Sequence, residues 1–517
     1  MSPATTLDYP VLVNQPKASE VATPARLKTV HRKIRKTKIL FVTPELGITQ
    51  SLAGKGKTPP CMKAGGLADI CALLVDSFSE SGTEVHVAAP HFRSLSSSSA
   101  VAHPRLHLCQ DREFYYRRSV YEGCAHSNLR ASLAFQRDVI HYVLPRVRPD
   151  IVHCHDWMTG LVPAAARAMG IASVFTLHNL HDQTVTLAHA EDRGIDAAQF
   201  WQNLYFQHYP GSYESARDSN PVSLLASGIM AADRVNTVSQ GFLNELAEGR
   251  HQAPWPVADA LGHKLRAGCA TGILNGLADT FSPELDPYLV QPYRSEDHSD
   301  AKQANKRALQ LELGLELNPS APLLFWPSRL DPVQKGCGLL ADILGNLLRE
   351  HWNDGLQIAF VADGPFETEF RQIAESQGFG RRIGLAPFSE RLSRIGYAAS
   401  DFTLMPSAYE PCGLSQMIAL RYGSLPIVHA TGGLRDTVSH VQPGTGLGNG
   451  FRFDIHDAAG LRWAIGEALD FFRLPEITRA TTIARVMNES KGAFAPGSMI
   501  ESYRNLYDGL RSRRADS

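Results

Sequence analysis

Short apolar runs of strand length alternate with stretches of helical period along most of this chain. The first series comprises Lys38–Val42 and the runs 85–88, 151–153, 173–177 and 234–238, with helical periods at 68–79 and 160–169 between them. Alternating β and α segments predict a parallel sheet with helices on both faces. We therefore expect this part of the chain to adopt an α/β, Rossmann-like fold.

A second series of the same kind follows a connection at 275–288. It has a predicted helix at 302–313 and predicted strands at 323–327, 357–362, 383–385, 401–405 and 426–428. The chain has 517 residues, whereas a single hydrophobic core rarely serves more than ~250 to 300. We predict a flexible basic leader (1–37), two Rossmann-like domains (38–280 and 281–495) and a C-terminal tail (496–517).

Composition argues against several classes of protein. The formal net charge is -1, so no bulk basic surface favours nucleic acid. No apolar run reaches the ~18 residues of a membrane span, and the cysteines form no Cys-x-x-Cys pair. We expect a cytoplasmic protein without nucleic-acid or membrane partners, and the sequence leaves the oligomeric state open. The basic run from Arg26 to Lys38 is either a solvated tail or an arm for phosphate or glucan-associated partners.

The segment 405–438, MPSAYEPCGLSQMIALRYGSLPIVHATGGLRDTV, carries the densest chemical signal. Glu410 follows a predicted strand, at the edge where open α/β sheets bind ligands, so we expect it to face a ligand. Gly432 and Gly433 precede a predicted helix, where free backbone N–H groups and the helix dipole favour an anion such as a diphosphate. The alternative is that the glycines form only a tight turn and that Glu410 is an ordinary surface acid.

Two cationic loops strengthen this signal. Lys63 lies just before Gly65 and Gly66, which open a helix, so its ammonium is placed to reach a phosphate there. Arg329 and Lys335 follow a predicted strand of the second series, and positive groups of this kind stabilise a departing diphosphate. The alternative for the second loop is a solvent-facing charged surface.

Histidines and an aspartate follow two strands of the first series. The motifs HCHDW (153–157) and HNL (178–180) place Asp156, Trp157 and His178 near one edge of the predicted sheet. A metal site is one alternative, but no third ligand with suitable spacing is evident. For Trp157 the alternative is core packing. Asn275 carries an amide suited to a sugar hydroxyl, or else serves a plain turn.

These motifs together resemble those of bacterial glycogen synthases and plant starch synthases. The family has an acid followed by Pro-Cys-Gly-Leu, then a Gln-containing helix, a Pro-Ile-Val strand and Thr-Gly-Gly-Leu, as at 410–434 here. It also has the Lys-x-Gly-Gly-Leu element of 63–67 and the Ser-Arg-Leu and Gln-Lys-Gly pair of 328–336. The resemblance implies the GT-B architecture, in which two Rossmann-like domains face across a cleft and a C-terminal helix returns to the first domain.

The resemblance also implies a role for each matching residue. Glu410, His178, Arg329 and Lys335 take the catalytic roles, and Asp156 and Trp157 lie beside the sugar or the acceptor. The donor-binding residues are Lys63, Gly65, Gly66, Asn275, Tyr409, Cys412, Gly413, Leu414, Thr431, Gly432 and Gly433. No metal or other cofactor is implied, and the expected partners are a nucleotide sugar and an α-glucan polymer.

Several positions depart from the family pattern. Ala64 stands where Thr or Val is usual, the loop 45–60 is long, and Met158 replaces a common His. One extra residue separates Arg329 from Lys335. Ile418 occupies the position of a second Glu that many retaining GT-B enzymes have, although glycogen synthases generally lack it.

The expected reaction is transfer of glucose from ADP-glucose to the non-reducing 4-hydroxyl of an α-1,4-glucan, with retention and release of ADP. One alternative is another retaining GT-B transferase that uses UDP-glucose or makes a different linkage. A second is a catalytically silent glucan-binding scaffold of the same fold.

Overall fold

The structure is a computed structural model that describes residues 36–53, 61–95, 103–251 and 253–515, with side chains up to 512. Nearly all of the predicted leader therefore lies outside the described residues, as does the part of the long loop at 54–60. From Thr37 onward the described residues belong to one compact unit.

Seven parallel strands form the first sheet within the described residues, in the order β3-β2-β1-β4-β5-β8-β9. Their bounds are β1 Lys38–Val42, β2 Glu84–Pro90, β3 Leu106–Cys109, β4 Ile151–His155, β5 Ala172–Leu177, β8 Arg234–Thr237 and β9 Ala270–Gly272. A separate antiparallel pair joins β6 (Thr184–Val185) to β7 (Val222–Ser223).

Six parallel strands form the second sheet of the described chain, in the order β12-β11-β10-β13-β14-β15. They are β10 Leu323–Trp326, β11 Gln357–Val361, β12 Ile383–Ala386, β13 Phe402–Met405, β14 Leu425–His429 and β15 Phe451–Phe453. The strands β10, β11, β13 and β14 are buried throughout, because helices cover both faces of the sheet.

The helices connect the strands in chain order. In the first half they are α1 Gly66–Glu80, α2 Arg112–Tyr115, α3 Ala125–Asp138, α4 Leu144–Val147, α5 Val162–Ala168, α6 Leu187–Asp192, α7 Tyr213–Arg217, α8 Leu224–Ala231, α9 Gln240–Ala247 and α10 Trp255–Arg266. In the second half they are α11 His298–Glu312, α12 Cys337–Glu350, α13 Glu367–Ser376, α14 Glu390–Ala399, α15 Ser415–Arg421, α16 Gly432–Thr437, α17 Ala458–Phe472, α18 Glu476–Ala493 and α19 Pro496–Ala515. A π-helical turn, Val139–Val143, joins α3 to α4, and short 3-10 turns lie at Trp157–Thr159, Ala197–Gln199 and Trp201–Asn203.

Each large sheet has a point where the strand order reverses. In the first sheet it lies between β1 and β4, and in the second between β10 and β13. Loops that leave the carboxyl ends of such neighbouring strands diverge and leave a crevice, where doubly wound proteins bind ligands. The motifs at 61–66, 155–157, 328–336 and 406–413 all follow these four strands, so the topology brings them to the two crevices.

Each sheet has its own hydrophobic core. The first core includes Met499, Tyr503, Tyr507 and Leu510 of α19, so the C-terminal helix packs on the first sheet as expected. Buried hydrogen bonds fasten it there: Tyr507 Oη lies 2.7 Å from His153 Nδ1, and Asn236 Nδ2 donates to Tyr503 Oη at 2.9 Å. The predicted α/β class with two Rossmann-like sheets is confirmed.

Three strands of the two sheets were not predicted from the sequence. They are β3, β9 and β15, of four, three and three residues. Among the described helices, none is both long enough and apolar enough to cross a lipid bilayer.

Candidate active site

The carboxylate of Glu410 lies in the loop after β13 and is 7% exposed. Its Oε2 accepts hydrogen bonds from Lys335 Nζ at 2.6 Å and from Ser407 Oγ at 3.2 Å. The lysine and the glutamate are about one-tenth exposed. A buried carboxylate needs such a cation, because burying an unpaired charge is costly. Glu410 is therefore held by partners within the protein and is not an ordinary surface acid.

The loop that carries Arg329 and Lys335 packs directly on the loop of Glu410. Ala408 N donates to Gln334 O at 2.8 Å, and Gln334 Nε2 donates to Tyr409 O at 3.3 Å. The loop thus brings Lys335 to Glu410 even with its extra residue. Arg329 is exposed, and its guanidinium has no ion pair among the residues described, so it remains available to an anion.

The Gly432-Gly433 turn is shaped by close packing against the Glu410 loop. Gly432 has a φ of 44°, and a Cβ added there would lie 2.1 Å from Glu410 O; at Gly433 it would lie 2.1 Å from Cys412 O. Gly433 N already donates to Glu410 O at 3.0 Å, and Gly432 N donates to the Glu245 carboxylate at 2.8 Å. The expectation that these two amides are free for a diphosphate therefore differs from the structure, because both have acceptors within the protein.

The Lys63 loop of the first sheet is also internally bonded. Glu45 Oε2 accepts from Ala64 N at 2.8 Å and from Gly65 N at 2.7 Å, so the Gly65 amide is not a free donor. Lys63 Nζ pairs with Asp69 at 2.9 Å but keeps a side chain 38% exposed. Burial lowers the pKa of Lys63, but Asp69 outweighs it, and the net shift is upward.

Glu45 and its neighbour Tyr121 were not identified by the sequence patterns. Tyr121 Oη donates to Glu45 Oε1 at 2.7 Å, although 76 residues separate them. Burial raises the pKa of the Glu45 carboxyl, against the effect of its hydrogen bonds. Glu45 lies in the long loop after β1. Its position just beyond the end of a predicted strand was the only sequence feature that could have identified it.

Asp156 occupies a strained backbone position after β4, with φ 58° and ψ 178°. A non-glycine residue there costs on the order of 1–3 kcal/mol and is held by its surroundings. Here Asp156 Oδ1 accepts from His178 N at 2.7 Å and Oδ2 from Asn179 Nδ2 at 2.9 Å. Burial raises the pKa of Asp156 to about 8, despite those bonds.

His178 joins Asp156 at the edge of the first sheet. Its Nε2 lies 3.1 Å from His155 Nδ1, and burial lowers its pKa to about 3. The imidazole is therefore neutral at physiological pH, and it acts through hydrogen bonds rather than as a charge.

Trp157 and Met158 lie in the hydrophobic core of the first sheet. They are 6% and 1% exposed, because the 3-10 turn after Asp156 directs them inward. The structure thus favours the packing interpretation of Trp157 over direct contact with an acceptor. Asp156, which precedes these two residues, is the polar side chain that lies at the edge of the sheet.

The loops that carry Asn275 and Leu414 make contacts between the two halves of the molecule. Asn275 hydrogen-bonds the thiol of Cys412, whose pKa burial raises to about 12. The Oδ1 of Asn275 is buried and has no hydrogen-bond partner in the described part of the chain, as expected of a group that awaits a ligand hydroxyl. A Cβ added at Gly66 would lie 3.0 Å from Leu414 Cδ1, so the two predicted donor loops lie side by side.

The arrangement brings together most of the predicted residues. Glu410, Lys335 and Arg329 lie beyond the strands of the second sheet, and the contacts Gly66–Leu414 and Asn275–Cys412 bring their loops beside the loop of Lys63. Such a site can bind an anionic leaving group with its cations and hold sugar hydroxyls with its carboxylates and amides.

Solved structures with the same fold define the class of protein. The catalytic domain of starch synthase IV from Arabidopsis thaliana, bound to ADP and acarbose, superposes with a TM-score of 0.77 at 26% identity, over 92% of this chain and 100% of that one. Sucrose-phosphate synthase from Thermosynechococcus elongatus has a TM-score of 0.58 at 17% identity, over 92% and 100% of the two chains. The fold is that of a GT-B glycosyltransferase.

Sequence comparisons identify the family. Residues 38–254 match the starch synthase catalytic domain, and residues 321–470 match the glycosyl transferases group 1. The glycogen synthase of Exiguobacterium sibiricum is 33% identical over 80% of this chain and 90% of its own length. That of Bacillus subtilis is 32% identical over 87% and 96%. The chain belongs to the glycogen synthase family.

Proposed function

We propose that the protein transfers glucose from ADP-glucose to the non-reducing 4-hydroxyl of an α-1,4-glucan, with retention of configuration and release of ADP. The observation that carries this proposal is the buried Glu410–Lys335 pair, which places one carboxylate and one ammonium 2.6 Å apart at the crevice of the second sheet. A nucleotide sugar presents a matching pair of features, a hexose and a diphosphate.

The diphosphate binds the cations of the site. Arg329 is free of ion pairs in the described structure, and Lys335 exchanges its bond to Glu410 for a bond to the phosphate. Lys63 approaches from the first sheet, beside the amides of Gly66 and Leu67 in the first turn of α1. Positive charge at these points stabilises the negative charge that develops on the leaving oxygen. The expected independence from metal ions stays a proposal that added chelator tests.

In the reaction, the bond from C1 of the glucose to the phosphate oxygen breaks while a bond to the acceptor oxygen forms on the same face. The acceptor 4-hydroxyl gives its proton to the departing phosphate oxygen. Glu410, released from Lys335, holds the glucose hydroxyls and stabilises the positive charge that develops at the sugar ring. His178 and the free Oδ1 of Asn275 offer further hydrogen bonds to the sugar.

The acceptor lies on the first-sheet side of the crevice in this proposal. Tyr121 donates a hydrogen bond to Glu45 there, and Asp156 interacts electrostatically with both, so the three residues offer hydroxyl and carboxyl functions suited to glucose hydroxyls. Burial raises the pKa of Asp156 to about 8, so its carboxyl, when protonated, can donate as well as accept a hydrogen bond.

A labelling assay tests the proposal. Purified protein is supplied with glycogen and either ADP-[14C]glucose or UDP-[14C]glucose, and label in the polymer and free nucleotide are measured. We expect incorporation from ADP-glucose, and release of the label as maltose by β-amylase, which requires α-1,4 addition at non-reducing ends.

Preference for UDP-glucose, or label that resists β-amylase, would contradict the proposed donor or linkage. Lack of turnover with either donor would instead favour a silent glucan-binding protein. Arg349→Ala, at an exposed position of α12 away from the crevice, is the control for the effect of mutation alone.

A further inference from the structure

Glu245 connects the first sheet to the turn beside Glu410. It lies on α9, the helix after β8, and is 3% exposed. Its Oε2 accepts three hydrogen bonds: from Gly432 N at 2.8 Å, from Thr431 Oγ1 at 3.0 Å and from His251 Nε2 at 2.6 Å. Thr431 and Gly432 lie at the start of α16, in the half of the chain that forms the second sheet. His251 follows α9, in the half that forms the first sheet.

The Glu245 carboxylate is ionised. Burial acts to raise its pKa, but the bonds from His251, Gly432 and Thr431 outweigh burial, and the pKa is lowered. An ionised carboxylate can only accept hydrogen bonds, so Nε2 of His251 must carry the proton in this contact.

The groups that Glu245 holds lie on both sides of the predicted catalytic acid. On one side, the Thr431–Gly432 turn leads to Gly433, whose N–H donates to Glu410 O at 3.0 Å. On the other side, the ring of His251 lies 5.9 Å from the ring of Tyr409. Glu245 does not touch Glu410 itself, so it acts through these neighbours.

We propose that Glu245 is a positioning residue for transfer: by fixing the turn at 431–433 and the ring of His251, it sets the Tyr409–Glu410 segment relative to the first sheet. The inference rests on the proposed role of Glu410. It assigns a function to a residue of the opposite sheet that none of the sequence motifs contains.

A neighbouring contact offers a matched control. Gly241 N, also on α9, donates to Asp436 Oδ2 on α16 at 2.7 Å. This bond joins the same two helices, but Asp436 lies beyond the turn, and the structure gives it no contact with the Tyr409–Glu410 segment. Asp436→Ala therefore weakens the helix contact without releasing the turn.

The test compares Glu245→Gln, Glu245→Asp and Asp436→Ala at a temperature where circular dichroism shows all of them folded. In Glu245→Gln, the amide oxygen that replaces Oε2 lacks the charge that strengthens the three bonds, and the NH2 that replaces Oε1 faces the Arg435 guanidinium, which lies 3.5 Å from Oε1 in the wild type. We expect kcat to fall at least 10-fold, with the KM for glycogen unchanged. Asp, one methylene shorter, should recover part of the loss, and Asp436→Ala should stay within twofold of the wild type.

Two outcomes would overturn the inference. The first is a kcat for Glu245→Gln equal to that of the wild type. The second is an equal loss in Asp436→Ala, which would mean that any weakening of the helix contact slows transfer. Wild-type activity and its loss in Glu410→Gln are measured first, so failure of the proposed function is recognised separately.

Discussion

At the scale of single residues, the structure shows charged groups that are bound to one another where the sequence suggested groups open to a ligand. Lys335 pairs with Glu410, Lys63 with Asp69, and Glu45 with two backbone amides. This follows from burial, since a charge in the low-dielectric crevice needs a partner. In the proposed function, donor binding exchanges these partners, and we expect the measured affinity to contain the cost of breaking the pairs.

Replacing the carboxylate of Glu410 tests its electrostatic role. Glu410→Gln keeps the shape of the side chain but removes its charge, so stabilisation of the charged sugar is lost. Loss of one strong electrostatic contact costs ~3 to 4 kcal/mol in the transition state, or about 10²- to 10³-fold in rate. We expect kcat to fall by this factor while ADP binding, measured by calorimetry, changes little. An unchanged kcat would remove Glu410 from the mechanism.

The raised pKa of Asp156 predicts a pH dependence of stability. Its folded-state pKa is about 8 against an ordinary value of 3.8. A carboxyl whose pKa is raised on folding stabilises the protein most below its unfolded pKa, and that contribution is lost as the pH rises through the folded pKa. We expect the wild type to lose stability between these two pH values relative to Asp156→Asn, which cannot titrate.

Urea unfolding midpoints of both proteins across this pH range measure the effect. As the pH rises, the midpoint of the wild type should fall steadily relative to that of Asp156→Asn. Above the folded-state pKa of Asp156 the difference between the two midpoints should be constant. A difference that does not vary with pH would show that the carboxyl of Asp156 remains ionised throughout.

At the scale of elements, α19 ties the end of the chain to the first sheet through a buried polar network. His153 Nδ1 lies 2.7 Å from Tyr507 Oη and His153 Nε2 lies 2.7 Å from Thr176 Oγ1, and the ring is fully buried. His155 follows two residues later on the same strand and contacts His178. The helix therefore supports the strand that carries part of the site.

Removing one hydroxyl from this network should cost stability. Tyr507→Phe leaves His153 Nδ1 buried without its partner, a loss of ~1–3 kcal/mol. We expect a lower melting temperature, with activity retained at temperatures where the variant is folded. Ser502→Ala, at an exposed position of the same helix, is the control and should melt like the wild type. Equal melting temperatures for both variants and the wild type would contradict the predicted role of the network.

At the scale of the whole molecule, the halves of the chain that form the two sheets contact each other beside the loop that carries Glu410. Ser239 Oγ of the first sheet's side donates to Pro411 O at 2.5 Å, and Gly66 faces Leu414. A ligand that binds both sides of the crevice should therefore stabilise the folded molecule as a unit.

Thermal melting with ADP tests this coupling. A ligand at 100 times its Kd stabilises the native state by ~2.7 kcal/mol, so we expect ADP to raise the melting temperature by a few degrees. Arg329→Ala should reduce this shift. Among the described residues the Arg329 guanidinium forms no ion pair, so the substitution breaks no such pair within the protein and removes only the contact with ADP. Arg349→Ala should preserve the full shift. An equal shift in all three proteins would show that Arg329 does not bind the diphosphate.

The sequence predicted most strands of the two large sheets. Apolar runs at 323–327 and 401–405 correspond to β10 and β13, because strands buried on both faces have a continuous apolar pattern. The short strands β3 and β15 escaped prediction, because pairing with a neighbouring strand defines them more than their own residues do. The domain bounds and the individual site roles stay predictions.

The glycines show where pattern alone misleads. Gly432 and Gly433 suggested free amides, and the structure shows that close packing against 410–412 requires the absence of side chains. Trp157 was expected near the acceptor but lies in the core. In both cases the residue type is compatible with two environments, and only the neighbours decide between them.

By itself the sequence determined the alternation of strands and helices, and with it the two doubly wound sheets and the edges where ligands bind, because these depend on local periodicity. Only the tertiary structure decided which charges pair, that Glu45 joins Tyr121, and that Glu245 reaches across to Gly432. Those contacts join residues 76 and 187 positions apart, and no local pattern records a partner at that distance.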